Sequence, residues 1–334
     1  MNLSTDDPTL YNESFMDMLE KDASGIQEGI RQYIHTEVLE GSFARSVMTP
    51  IPVTTSDCQV NLSDNSLYLI RDVEPDTEAV SVDNLGQPDG RYIRGERYII
   101  PIVNFVTDRF QITEDDLKAY KYKITKRIQD KSVPILHKLE DKFFSRLIGA
   151  SLSNAALPQK KIVAGTDQTN TFNLKEEDFT KLTNTLSSGI NGSDEKKLEL
   201  GLILMTQEDY NAAVHLPGAG DDFGKDRIYN GLNTDVLFGY KTVRTIKSNI
   251  IPRGHLWGFT TEDALGHAFR LGETKFEIES KFGLIEWQSK MSVGYGIGNA
   301  RGVSALTLNG SVGATDTDGT IPSDFTDHYA NLSV

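Results

Sequence analysis

Ile26, Ile30, Ile34 and Val38 recur every fourth residue, a narrow apolar stripe on an acidic helix, and Gly41 suits its stop. In SVMTPIPVTT, which follows, Pro50 and Pro52 forbid helix and favour an extended connection. Residues 1–55 therefore read as an arm that must pack on something else. Residues 56–112 read as β, with SLYLIRDV, the turn-rich DNLGQPDG and then RYIRGERYIIPIVNFV. Pro101 inside the second run marks an edge strand or a bulge. A two-stranded excursion of this kind, with Arg91, Arg94 and Arg97 beside its turn, would be barely stable alone in water.

Thr113 starts the clearest helix. It caps, Asp116 completes a near capping box, and Ile112 with Leu117 make a hydrophobic staple. Leu117, Tyr120, Ile124 and Ile128 mark one apolar face, and Leu136, Leu139, Phe143 and Leu147 continue the pattern. Pro134 is expected to kink or divide the helix. A continuous helix over 114–149 would span about 54 Å, long for a globular enzyme of this size.

Beyond it, a helix capped by Asn173 runs to Ser187, KLELGLILM is a buried strand, and Thr206 caps QEDYNAAVHL. Strands FGYKTVRTI and HLWGF follow, and Thr260 or Thr261 opens a helix EDALGHAF, so residues 195–270 read as an α/β unit. KFEIESKF alternates strictly and predicts a strand with Phe276, Ile278 and Phe282 on one side. Residues 271–308 close with strands. Residues 309–334, rich in Gly, Ser, Thr and Asp, read as a flexible or docked tail.

Charge changes the picture in one place. The chain of 334 residues carries a net −14, and residues 1–40 hold nine acids against two bases, half of that total. Such a balance opposes tight general binding to nucleic acid. The segment 114–149 runs the other way, with nine Lys/Arg and six Asp/Glu. A single cysteine, Cys58, excludes an internal disulfide. No apolar run approaches the roughly 20 residues of a membrane span, and the acidic N-terminus lacks a signal-peptide core, so synthesis in a cytoplasm is expected.

Candidate chemistry is sparse. GYGIGNARG (Gly294 to Gly302) has glycines at 294, 296 and 298 but Arg301 where a dinucleotide loop needs its last glycine, and strand-like VSALTL follows where a helix is required. The glycines alternate with Val293, Tyr295 and Ile297, which makes them one bare strand face that another element approaches closely. The six histidines show no metal-ligand spacing, and Asp115/Asp116 and Asp221/Asp222 read as a helix start and a solvated loop. KYKITKR could touch phosphate; a solvated face pairing with acidic arms of neighbours explains it equally well, and the overall acidity favours that reading. No catalytic, cofactor-binding or metal-binding residue is assigned.

The order of arm, hairpin, long helix, α/β unit and closing strands resembles the HK97-fold major capsid proteins of tailed bacteriophages. IRQYIHTEVLEGSFARSVMTPIPV looks like the family's arm and strap; GERYIIPIVNF followed by FQITEDDL looks like its E-loop and spine helix. FEIESKFGLIEWQSKMSVGYGIGNARGVSALTL looks like its closing P-domain strands. The resemblance implies an α+β fold with an E-loop at 56–112, P-domain segments at 113–194 and 271–308, and an A-domain at 195–270. It implies a non-enzymatic shell subunit, assembling as hexamers and pentamers around double-stranded DNA that it does not bind sequence-specifically. Scaffolding, portal and decoration proteins are the implied partners, without a membrane or cofactor, and the virion head, built in a bacterial cytoplasm, is the implied location. No long extension precedes the arm, unlike members with an internal scaffolding segment. On this reading Ile26 to Val38 and Arg91, Arg94 and Arg97 contact neighbouring subunits. Two alternatives stand beside it: an encapsulin-type shell around cargo enzymes, and an α/β enzyme whose pocket the sequence does not reveal.

Overall fold

The computed structural model describes residues 41–63, 65–73, 97–119, 124–152, 162–165, 172–187, 198–216, 236–308, 328–329 and 332. A short helix α1 (Phe43–Val47) leads into β1 (Ile51–Val53), β2 (Gln59–Val60), β3 (Leu67–Asp72), β4 (Arg97–Pro101), β5 (Val103–Val106) and β6 (Phe110–Thr113). Helices α2 (Glu114–Ala119) and α3 (Ile124–Leu152) come next, then β7 (Ile162–Ala164), α4 (Glu176–Ser187), β8 (Leu202–Thr206) and α5 (Gln207–Val214). The C-terminal part holds β9 (Val236–Leu237), β10 (Tyr240–Thr245), β11 (His255–Phe259), α6 (Glu262–Leu265), β12 (Gly266–Leu271), β13 (Lys275–Lys281), β14 (Leu284–Ile297) and β15 (Val303–Thr307).

Three sheets organise these elements. The first is built on β14, bordered along its 14 residues by β12, β13, β5 and β6, with β1 adding a parallel edge to β12. The second, mixed, has the order β7-β15-β11-β8-β10-β9. The third is the small antiparallel sheet β2-β3-β4. It has three strands where the sequence suggested two, because Gln59 and Val60 add a short rung beside Tyr68 and Leu67. Pro101 closes β4 on the edge of that sheet, and Val103 begins pairing with β14, so the proline sits where the chain changes sheets.

The second sheet is covered on both faces, which is why KLELGLILM reads as a continuous apolar run. Leu202 and Leu204 of β8 join the main core with Trp257, Phe259 and α3. Ile203 and Met205, between them, face Phe179, Leu182 and Tyr210 of α4 and α5. Thr206 caps α5, accepting the Asp209 N–H at 3.2 Å. Thr113 likewise accepts the Asp116 N–H at 3.1 Å, and its hydroxyl donates to the Asp116 carboxylate at 2.6 Å. Ile112 and Leu117 then share one cluster with Phe276, Ile278, Ile285 and Trp287.

Several expectations are corrected. Pro134 lies inside the 29-residue α3, which continues through it to Leu152, about 44 Å at 1.5 Å per residue. Pro134 is exposed, and the helix is anchored on either side of it, by Ile128 against the cluster of β13 and β14 and by Leu136 in the main core. The helix expected from Asn173 starts at Glu176, where the Asp178 carboxylate accepts the Lys175 N–H at 2.8 Å. EDALGHAF divides: only Glu262–Leu265 is helical, and GHAFRL forms β12. A four-residue helix gains little locally, and the ladder to β14 outweighs it. Phe282 leaves the face of Phe276 and Ile278 and occupies the β13–β14 turn.

The glycine face behaves as the alternation predicts. A Cβ on Gly294 would lie 2.8 Å from the Pro101 oxygen, on Gly296 2.5 Å from Ile100 Cγ1, and on Gly298 2.9 Å from the Tyr98 ring. Strand β4 crosses β14 at this point. After Ile297 a single 3-10 turn (Ala300–Gly302) moves the chain from the first sheet into β15 of the second.

Candidate functional site

The strongest concentration of charge is interior. Glu140 and Asp141, adjacent on α3, are fully buried. Asp141 accepts the Ser42 hydroxyl, the Ala44 N–H at 3.1 Å and the Lys247 ammonium. Arg45 Nε lies 3.0 Å from both Glu140 oxygens, and the Tyr295 hydroxyl donates to Glu140 at 2.7 Å. Lys247 also covers the Phe43 ring at 5.8 Å. Burial pushes both carboxyls above their ordinary range, against the pull of Arg45 on Glu140 and of Lys247 on Asp141. Burial and the Glu140 charge push the Tyr295 phenol up as well. Each of the four carboxylate oxygens accepts a bond from another part of the chain. It works as a joint, bolting the strap at 42–47 to the long helix, to β14 and to the turn after β10.

A second joint fastens the tail. Tyr329 is buried, its oxygen 2.8 Å from His255 Nδ1 and accepting the Trp257 indole N–H at 3.2 Å. Its Cβ packs so closely on α3 that a methyl at Gly149 would come within 2.6 Å. Leu332 is buried in the same core.

Surface features point outward. Phe282 and Gly283, the two central turn residues between β13 and β14, have φ of 54° and 72°. Positive φ at both positions suits Asn-Gly, and an aromatic there is strained. Phe282 is nonetheless fully exposed at 103%. Its stem is rigid: the Glu114 N–H donates to the Gly283 oxygen at 3.1 Å, and β6 pairs with β14 just behind. The small sheet also has an apolar outer face, where half-buried Tyr68 and Ile70 stand opposite exposed Pro101 and Ile99. Its inner face, Leu69 and Ile100, is buried against Phe269 and Val53. Leu62, in the turn before β3, is 95% exposed.

Ile26, Ile30, Ile34, Val38, Arg91, Arg94 and Tyr120 lie outside the described residues. Arg97 pairs within its own chain with Asp72 across the β3–β4 ladder at 2.7 Å, on the surface. Leu117 is buried and Ile128 partly so, in one cluster with β13 and β14. Ile124 opens α3. Leu139 and Phe143 are only partly buried, whereas Leu136, Phe144 and Ile148 are fully buried. The true inward stripe is therefore Leu136, Glu140, Phe144 and Ile148. A carboxylate at its centre hid it, and that interruption of a four-residue period was the signal for the joint.

Among the described residues no group of three or more His, Cys, Asp or Glu side chains could hold a metal ion, and no helix is long and apolar enough to cross a membrane. Burial and Asp57 push the Cys58 thiol upward, away from the reactive thiolate. An open cleft of about 340 Å³ beside Val53, Leu271 and Lys290 is flanked by exposed Glu273, Lys275 and Lys290. No buried titratable group points into it.

No protein-family model matches the sequence, and no curated protein matches it. Solved structures do. One from Microbacterium phage Oxtober96 is 11% identical with a TM-score of 0.53, covering 82% of this chain and 94% of its own. The mature capsid of bacteriophage PhiM1 is 9% identical with a TM-score of 0.52, covering 82% and 89%. One from Mycobacterium phage Bobi is 10% identical with a TM-score of 0.51, covering 83% and 93%. At such identities the likeness is one of architecture, and it extends over most of both chains: this chain has the HK97-like α+β fold of the phage major capsid proteins.

Proposed function

We propose that this chain is a shell subunit, the major head protein of a tailed phage, and that it does no catalysis. One observation carries the reading: over four-fifths of the chain follows the architecture of phage capsid structures. The uncovered apolar points of the molecule agree with it. A rigid turn that holds a phenylalanine wholly in water, at a backbone position unsuited to it, gains nothing within one chain and gains contact area when copies meet.

On this reading copies assemble as hexamers and pentamers into an icosahedral shell enclosing double-stranded DNA, within a bacterial cytoplasm, with scaffolding, portal and decoration proteins as partners. The hairpin around β3 and β4 acts as the E-loop, α3 as the spine helix and residues 195–270 as the A-domain. Ile26, Ile30, Ile34 and Val38 lie across a neighbour, and Arg91, Arg94 and Arg97 meet its acids. A net charge of −14 suits a container that holds DNA without adhering to it.

Negative-stain electron microscopy of the purified protein beside size-exclusion chromatography tests the reading. Closed shells or five- and six-membered rings are expected. A compact monomer that stays monomeric at high concentration, with or without co-expressed phage head proteins, overturns it. Shells filled with protein and never with DNA would place the chain with cargo-enclosing shells. Replacing Arg91, Arg94 and Arg97 with Glu is expected to weaken assembly while leaving the subunit folded; unaltered shells would remove the arginine contacts.

A further inference from the structure

The inner face of the small sheet ends in a polar row. Leu69 and Ile100, cross-strand partners, are buried against Phe269. Arg71 and Tyr98 form the next pair on the same face, toward the connection between β3 and β4. These two grip His267 and Phe269, which share one face of β12. The Tyr98 oxygen lies 2.7 Å from His267 Nδ1, and the Arg71 guanidinium covers the Phe269 ring at 4.7 Å. His267 in turn stacks parallel to Phe269, with 6.1 Å between ring centroids. Asp72 and Arg97, the following pair, bond to each other on the surface. Among the described residues the Arg71–Tyr98 row is therefore the outermost inward-facing pair of the hairpin, and it closes on β12 as a clasp.

We propose that this clasp is a pH-sensitive hinge of the hairpin: it closes on a neutral His267, and a proton on the ring opens it by setting a second cation beside Arg71. In the closed clasp Nδ1 accepts the Tyr98 hydroxyl and Nε2 carries the ring proton. A protonated ring donates from both nitrogens, so the bond to Tyr98 must reverse and the phenolic proton must find another acceptor. Arg71 donates to the Ile70 oxygen and has no ion pair among the described residues, so its charge stands unneutralised beside the ring. Burial, and after it Arg71, hold His267 below its ordinary range, against the pull of Asp263 and Glu262 on α6. Glu262 is already engaged, accepting the Thr49 N–H. Burial pushes the Tyr98 phenol up, so it remains protonated throughout. β14 meets His267 at Gly296, which brings no side chain, and β1 brings no titratable group. His267 is half-buried, so protons reach it without unfolding. A lowered value in the closed clasp means that the open form binds the proton more readily. The clasp is therefore fully held above the ordinary histidine value of about 6.5 and loosens as pH falls through it. The device belongs to the single subunit and operates whether or not copies assemble.

Hydrogen exchange of the full-length, unassembled subunit, read by mass spectrometry and corrected for the intrinsic pH dependence of exchange, tests the hinge. Between about pH 7.5 and about pH 5.5, protection in peptides spanning 67–72 and 97–101 should fall at least about threefold, while 202–206 of β8 keeps its own. The variant His267→Gln, which takes up no proton, should be equally protected at both values. Equal protection in the wild type, a fall that reaches 202–206 to the same extent, or a pH response retained by His267→Gln would each overturn the proposal. A second measurement does not need that variant to fold. The His267 ring signals of the wild-type subunit, followed by NMR, should titrate with a midpoint below about 6.5, and Arg71→Gln should raise that midpoint. A wild-type midpoint at or above the ordinary value, or one that Arg71→Gln leaves in place, defeats the clasp as a switch.

Discussion

Gly296 is the residue at which packing can be tested with least ambiguity. An added Cβ would stand 2.5 Å from Ile100 Cγ1, 2.7 Å from Ile100 Cδ1 and 3.1 Å from Tyr98 Cε2. Ile100 is fully buried among Val53, Leu69, Ile102 and Phe269, so it has no free space into which to retreat. Forcing one methyl into such a site costs about 1–3 kcal/mol. Relief of glycine's chain entropy returns about 0.5–1 kcal/mol, so Gly296→Ala should destabilise by about 1–2 kcal/mol. Ile100→Ala alone should cost about 2–5 kcal/mol through its cavity. In the double variant the new methyl occupies part of that cavity, so the two costs should fall short of their sum by at least about 1 kcal/mol. Urea unfolding of subunits held below the assembly concentration, confirmed unassembled by light scattering, measures all four species. A neutral or stabilising Gly296→Ala, or additivity within about 0.5 kcal/mol, would refute the claim that β4 packs on the bare face of β14.

Phe282→Asn should stabilise the isolated subunit by about 1 kcal/mol, because Asn tolerates the positive φ, while raising the concentration needed for assembly; a fall in both quantities, read by urea unfolding and by light scattering, would deny the aromatic a role between copies. Tyr329→Ala should cost about 3–5 kcal/mol in thermal or urea unfolding although it lies five residues from Val334, whereas a merely trailing tail would cost nothing measurable. Glu140 and Asp141 titrate above their ordinary range in the fold, so between the unfolded and folded values the native state holds the extra protons, and their contribution to stability is lost as pH rises through the folded values. Asp209 is raised too, by burial, so the diagnostic is a difference: Asp141→Asn should flatten the decline in unfolding free energy from about pH 4 toward neutrality, and an unchanged slope would clear Asp141 of it.

Local rules were enough for the start of α2, the cap of α5, the buried strand at 202–206, the edge role of Pro101 and the bare face of Gly294, Gly296 and Gly298. Each of these depends on neighbours within a few residues or on simple alternation, and the order of the elements sufficed to suggest the shell-protein architecture. Other features were decided only by contacts between distant segments. GHAFRL became strand because β14 offered it a ladder, and Pro134 was carried through the helix because both flanking turns are anchored. Phe282 left its expected face because a two-residue turn reverses the chain there. Glu140 and Asp141 looked like a polar interruption of an apolar stripe until Arg45 and Lys247, 95 and 106 residues away, neutralised them. A buried charge is tolerable only beside its partner, and partnership across that separation exists only in three dimensions.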